Sequence, residues 1–350
     1  MIWRVVRHNG PDAKMNEAIE EAMLIARHEG QSLDTIRPWQ NRKTVVLARD
    51  ADVSTTVNGD EVESNGVSIV RRAGAGKTVY QDEGTLNFTY TIDRKILFPG
   101  DPPPSSVYKA LCQPAAEAMF ALGLDSRIDD YGQCIVAKGG TISETSVNFY
   151  YDFILFQVSL NVYTDLAMSA RVLKEVRRVT SLSNELNRHV GLDEIEGILM
   201  DALSRRFKIE LQEQDLSQIE AGMADKLSQV KYSTDDWNLQ GKAPLTLKQL
   251  LMELYVAYPP TTSCRELIAN TQMVIADFRD KVEVRIWMRN RGLDGHGWPS
   301  GVQVSPALER VAKQSLIPSV IVSGRVEFSQ IVPTRAEIRN RILGALEKSR

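Results

Sequence analysis

Apolar and polar positions along this chain form short runs of both helical and strand period, mixed rather than in strict alternation. Thr78-Val79-Tyr80, residues 86–92, residues 44–47 and the charged opening 1–8 are β-branched or aromatic and predict strands. Residues 148–163 are the richest strand region, either one long strand or two joined by a turn near Tyr151-Asp152. Pro102-Pro103-Pro104 marks a loop, Ser105-Ser106 is the expected cap of a helix carrying Tyr108 to Leu122, and residues 182–203 read as a further helix. A Gly/Pro break at 240–244 divides the chain into 1–240 and 241–350. Beyond it the pattern predicts a strand at 250–258, a turn at Pro259-Pro260, a helix opened by Cys264, and a strand at 281–288. A Pro-led hairpin at 317–326 and a last helix from Thr334 follow. Such a mixture is the mark of an α+β protein.

A chain of 350 residues suffices for two domains, each with its own core. With a net charge of −3 there is no electrostatic case for nucleic acid, and Arg177-Arg178 reads as a solvated helix face. No apolar run is long enough to span a bilayer and the start lacks a signal-peptide core, so a cytoplasmic location is expected. The cysteines Cys112, Cys134 and Cys264 cannot all pair and show no Cys-x-x-Cys spacing. The histidines His8, His28, His189 and His296 lack metal-ligand spacing, so no metal site is expected from them.

The most informative stretch is residues 71–88, where Arg71-Arg72-Ala73-Gly74-Ala75-Gly76-Lys77-Thr78 precedes apolar strands. Gly-Lys-Thr imitates the end of a P-loop, but the earlier glycine that motif needs is Arg71, and strands rather than a helix follow. Glycines let backbone N–H groups approach a ligand, and Arg71, Arg72 and Lys77 can meet a carboxylate or phosphate. The alternative is a Gly-rich hairpin with solvated charges.

Arg71-Arg72, the glycine-rich turn, the run from Val79 through Asp82 to Gly84 and Leu86-Asn87-Phe88 resemble the signature loop of the lipoate-protein ligase family, which shares its fold with biotin ligases. Met15-Asn16-Glu17-Ala18-Ile19, Arg37 with residues 44–47, residues 66–70, 118–124, Thr164-Asp165-Leu166 and residues 231–238 resemble other family segments in the same order, over the first two-thirds of the chain. The resemblance implies a biotin/lipoate-ligase-like mixed-sheet catalytic domain. It further implies ATP-dependent formation of an acyl-adenylate and transfer of the acyl group, lipoate or octanoate, to a lysine of a lipoyl-domain acceptor protein, with Mg²⁺. In that reading Gly74 and Gly76 shape the pocket, Arg72 faces the acyl or phosphate group, Arg71, Ala75, Tyr80, Asn87 and Gly140 join them as ligand-binding candidates, and Asp82 orders the loop or Mg²⁺.

The chain also departs from the family pattern. The catalytic lysine position is Thr141, Glu144 stands where a small glycine is usual, and the usual histidines are Gln81 and Gln157. An uncharged hydroxyl cannot neutralise a phosphate; Lys77 is the candidate for supplying the missing charge, with Lys138 a second. The rival readings are a non-catalytic adaptor and a cysteine-dependent octanoyltransferase using Cys134. The order of elements after residue 241 resembles a thioredoxin-like α/β domain in which Pro318 is cis. Its Cys-x-x-Cys position reads Thr261-Thr262-Ser263-Cys264, so dithiol exchange is disfavoured, while Cys264 remains a redox candidate through a mixed disulfide with a dihydrolipoyl arm.

Overall fold

The computed structural model describes residues 1–100, 102–175, 177–295 and 302–348, so His296 lies outside the described residues. The chain divides into two compact units, Met1–Lys242 and Ala243–Arg350, two residues later than the Gly/Pro break suggests.

In the first unit, β1 (Ile2–Val5), α1 (Ala13–His28), β2 (Thr35–Trp39) and β3 (Thr44–Leu47) lead through the short helices α2 (Val53–Thr56) and α3 (Gly59–Ser64) to β4 (Ser68–Arg71), β5 (Ala75–Gly76), β6 (Val79–Gln81) and β7 (Thr85–Asp93). After α4 (Arg94–Leu97) and α5 (Pro104–Ala121) come β8 (Ser126–Ile128), β9 (Cys134–Ala137), β10 (Gly140–Tyr150) and β11 (Phe153–Asn161). The unit closes with α6 (Leu166–Val172), α7 (Leu182–Leu186), α8 (Leu192–Phe207), β12 (Glu210–Glu213), α9 (Gln218–Leu227), a π-helical turn at Ser228–Tyr232 and α10 (Asp235–Asn238).

The main sheet runs β12-β1-β2-β7-β11-β10-β9-β8, with β5 paired to β10; a second sheet has the order β4-β3-β6. Parallel pairs (β1 with β12 and β2, β3 with β4) coexist with antiparallel ones, which gives the mixed α+β architecture. Residues 148–163 resolve into a hairpin whose turn places Tyr151 at φ 54, the second of the two alternatives.

Strand alternation divides the main sheet chemically. Phe88, Tyr90 and Ile92 of β7 join Phe156 and Val158 of β11 in a core with Val107, Leu111 and Leu199 from α5 and α8. The intervening residues Asn87, Thr89, Gln157 and Ser159 are also buried, yet polar. Arg37 of β2 bonds Asn16 and Glu20 of α1 on this polar side. A buried sheet face built of polar side chains is expensive unless every group is hydrogen-bonded or a ligand is held there.

Two local expectations fail. α5 begins at Pro104 with Pro103 as its cap and no side-chain capping bond, because proline at the first helical position is already preset in φ and lacks the N–H that a serine would cap. The single helix expected over 182–203 is two, α7 and α8, since Asn187 turns left-handed at φ 50 and Gly191 caps the second.

In the second unit, β13 (Leu250–Val256), α11 (Thr262–Ile275), β14 (Val282–Met288), β15 (Gly292–Leu293), α12 (Pro306–Lys313), β16 (Ser319–Val322), β17 (Arg325–Ser329) and α13 (Arg335–Lys348) build a sheet ordered β15-β14-β13-β16-β17. β13 and β14 are parallel, and β16 runs antiparallel to β13. α11 and α13 supply Leu267, Val274, Ile338 and Ile342 to one core, while Leu308 and Val311 of α12 join Tyr255 and Trp287 in another. The Ile317–Pro318 peptide is cis, as expected for Pro318. α11 starts at Thr262 with Thr261 as N-cap, two residues before Cys264. No helix among the described residues is long and apolar enough to cross a membrane.

Candidate functional site

The glycine-rich loop is laid directly on β10. Gly76 faces Ser146 and Ala75 faces Val147 in β5–β10 pairing. Gly76 has φ +138, and a Cβ there would stand 2.6 Å from Thr145 O and 2.7 Å from Arg72 Nη2, so only glycine fits. A Cβ on Gly74 would come within 3.1 Å of Val147 O, which makes this a close but less absolute requirement.

The two arginines go to different places. Arg71 is buried, and its guanidinium donates to the carbonyl oxygens of Ala48, Arg49, Ala51 and Trp237. These four backbone acceptors hold its guanidinium at the base of the loop, and Trp237 Nε1 and Asn238 Oδ1 clasp its own backbone. Arg72 points inward, donates from Nη2 to Lys77 O at 2.6 Å, and leaves Nε without a partner. It lies beside Glu17, Glu20 and Glu21 of α1 in the wall of a small cavity of about 10 Å³. Burial pulls the Arg72 guanidinium down to about 10 and pushes the Glu17 carboxyl up to about 8, with Glu20 adding to the latter.

Asn87 is the hub of a buried amide and hydroxyl network. Its Oδ1 accepts from Gln81 Nε2, Gln157 Nε2 and Ser159 Oγ, and the chain continues from Gln81 Oε1 to Asn41 Nδ2 and from Asn41 Oδ1 to Asn16 Nδ2. Gln81 and Gln157, expected from the resemblance to stand where histidines are usual, are thus both tied into this network.

Asp82 accepts from Gly84 N with one oxygen and from Asp165 N with the other. Its two oxygens thus tie the turn at Gly84 to the segment that opens α6. Among the described residues no group of three or more His, Cys, Asp or Glu side chains is placed to hold a metal ion. Tyr80 is buried, lines a cavity, and its phenol is raised well above its ordinary range by burial.

Thr141 begins the site's far edge. Its N–H donates to Arg178 O and its carbonyl accepts from Thr180 N, both at 2.9 Å, so residues 178–180 lie along β10 here. Gly140, at φ +141, is required by the same approach, since a Cβ would stand 2.3 Å from Arg178 O. This arrangement overturns the helix and the solvation expected for Arg177, while Arg178 is exposed as expected. No helix forms there, and Arg177, 13 % exposed, donates to Glu144 Oε1 at 2.8 Å and to Thr78 O at 2.6 Å. Arg177 was hidden from the sequence reading because its partner is 33 residues away. The signal was Glu144, an acid on a half-buried strand that needs a counter-ion.

Glu144 stands in the wall of two cavities. One, about 240 Å³, is bounded by Tyr80, Ser159, Asn161, Leu166 and Arg177; the other, about 360 Å³, by Gly76, Lys77, Tyr108, Ser146 and Phe156. The structure thus gathers Gly76, Lys77 and Tyr80 around Glu144. Arg71 is turned away, Thr141 lines neither cavity, and Lys138 is exposed in the β9–β10 turn.

The cysteines fit no nucleophilic role. Cys134 has its thiol pushed up to about 12 by burial, with Asp129 adding to it. Cys264 is fully buried in the second unit, its Sγ accepting from Ala257 N, so a dihydrolipoyl arm could not reach it without unfolding α11.

Known proteins resemble the first unit. Lipoate-protein ligase A subunit 1 of Thermoplasma acidophilum is 23% identical over 250 residues, 65% of this chain and 92% of the relative. Octanoyltransferase LipM of Brevibacillus brevis is 23% identical over 280 residues, 68% of this chain and 99% of its own. The T. acidophilum protein Ta0514, solved with bound lipoic acid, superposes with a TM-score of 0.63 at 25% identity, over 69% of this chain and 99% of that one. A lipoate-protein ligase A bound with ATP shares the fold, with a TM-score of 0.64 at 24% identity over 69% of this chain and all of that one. Residues 12–204 match the Lipoyl protein ligase A/B catalytic domain, and by that match over more than half its length the chain belongs to this family.

Proposed function

We propose that the first unit binds a lipoyl or related acyl group as its adenylate and passes it to a lysine of a lipoyl-carrying acceptor protein. The observation that carries this is a pair of cavities that share Glu144 in their walls, the second of them also lined by Ala75, Gly76 and Lys77 of the loop, a shape suited to a ligand with two different halves. Ta0514 was solved with lipoic acid, and a T. acidophilum ligase together with its E2 lipoyl domain, which supports the ligand and the kind of acceptor.

In the reaction the carboxylate of the acyl group attacks the α-phosphate of ATP and pyrophosphate leaves; the acceptor amine then attacks the acyl carbonyl and AMP leaves. Mg²⁺ would travel with the phosphates. This chain contributes Gly76 and Lys77, which line the second cavity with Glu144, and Arg72, which bonds Lys77 O. Thr141 supplies no charge, which favours a second reading, a non-catalytic binder of the acyl group or of its carrier. The cysteine-dependent transferase finds no support in a Cys134 thiol pushed up to about 12. The second unit's β13–α11–β14 and β16–β17–α13 order supports a thioredoxin-like module without redox chemistry, and a cytoplasmic setting is our reading for both units.

Calorimetric titration with lipoate, ATP and Mg²⁺, and with octanoate in parallel, tests the proposal. Heat together with pyrophosphate release supports a ligase. Binding of lipoate without pyrophosphate release supports the non-catalytic binder, and no binding of either acid refutes both.

A further inference from the structure

A buried glutamate in the wall of a ligand cavity is costly unless a cation meets it. Here that cation arrives by an unusual route. The backbone of Thr141, the residue standing at the family's lysine position, holds residues 178–180 alongside β10, and this brings Arg177 over Glu144 three residues further along the strand. The position that lacks a charge therefore carries the segment that delivers one.

Arg177 is held on three sides: by Glu144 Oε1 at 2.8 Å, by Thr78 O at 2.6 Å and by Glu175, itself half exposed, at 3.3 Å. Thr78 follows Lys77, so the arginine also touches the end of the glycine-rich loop. Lys77 lines the second cavity, which shares Glu144 in its wall. A guanidinium donates to a pair of phosphate oxygens in the geometry it uses for a carboxylate. An incoming anionic group can thus replace Glu144 on Arg177, while Lys77 remains near Glu144 to balance it.

We propose that Arg177 is the anion-binding residue of this site, supplying the charge absent at Thr141, and that Glu144 is the internal counter-ion that holds it in place until the ligand arrives. The inference rests on the acyl-adenylate reading above and assigns its phosphate contact.

The test uses the full chain and two probes, lipoyl adenosine sulfamate as a non-reacting anionic mimic and lipoamide as an uncharged control. Arg177→Gln should weaken the mimic at least tenfold and change lipoamide less than twofold, with Arg177→Lys recovering part of the loss. Glu144→Gln should bind the mimic as tightly as the parent or up to several-fold tighter, because the competing carboxylate is gone. The double variant Glu144→Gln with Arg177→Gln leaves no unpaired buried charge, so it should fold, and it should bind the mimic as weakly as Arg177→Gln. Equal losses in Glu144→Gln and Arg177→Gln, or parent-like binding in the double variant, would overturn the assignment while leaving the acyl-binding reading intact. A parent chain that binds neither probe would overturn that reading too.

Discussion

Gln81 and Gln157, on different strands, both donate to Asn87 Oδ1, at 2.8 and 3.0 Å. Two glutamines that look independent in the sequence are therefore parts of one structural unit, a pair of amides around a common acceptor. Such a network is favourable only when complete, since each member left without a partner is buried in a low dielectric.

Asn87→Ala should accordingly destabilise the first unit by about 3 kcal/mol, because three donors lose one acceptor together. Gln81→His with Gln157→His should cost less than the sum of the single changes. Urea denaturation of the four variants measures both, and strict additivity would argue against a shared network.

The pH dependence of stability should carry the mark of Glu17. Its carboxyl is raised from 4.5 to about 8, by burial first and by Glu20 second, against the opposing charges of Arg72 and Arg37. Between these values the folded chain keeps a proton that the unfolded chain has released, so stability falls as pH rises through this window and levels off above it. Glu17→Gln should flatten the profile and be about 2 kcal/mol more stable than the parent at the alkaline end. A parallel pH profile in the variant would show that another group is responsible.

Gly76→Ala and Gly30→Ala both place a side chain at positive φ, but only the first meets atoms. Gly30 has open space around its missing Cβ, whereas at Gly76 Thr145 O and Arg72 Nη2 stand in the way. Gly30→Ala should cost about 1 kcal/mol and leave ligand binding unchanged. Gly76→Ala should lift the loop from β10 and abolish binding of lipoate, as read by calorimetry on protein whose circular dichroism is unaltered.

Arg71→Lys should lower the melting temperature by several degrees, since the single nitrogen of an ammonium cannot reach both Trp237 O, met by Nε, and the carbonyls of Ala48, Arg49 and Ala51, met by Nη1. If Arg71 instead contacted a ligand, affinity would fall and stability would not.

Thiol labelling followed by mass spectrometry should find Cys112 and Cys264 unmodified in the native chain and modified only in urea, both being fully buried. Rapid native labelling of Cys264 would revive its exchange with a dihydrolipoyl arm.

Much of the fold was legible in the residues themselves. β-Branched and aromatic residues located β7 and β11, the glycines of the 71–78 stretch marked the loop, and the Gly/Pro break fell two residues from the boundary between the units. Where local signals competed, the reading failed: Ser105-Ser106 looks like a cap, but Pro104 had already started α5, and Asn187 breaks a helix whose apolar period continues past it.

The sequence by itself determined the family, the loop and the mixed α+β class, because these depend on glycine conformations, strand period and motif order, all of them local. Only the tertiary structure decided that Arg71 is turned into the loop's base, that Arg72 is buried against Glu17, and that Arg177 meets Glu144. Neighbouring arginines carry the same charge and differ only in the acceptors that strand pairing brings within reach of each guanidinium, and that pairing is settled by contacts between residues far apart in the chain.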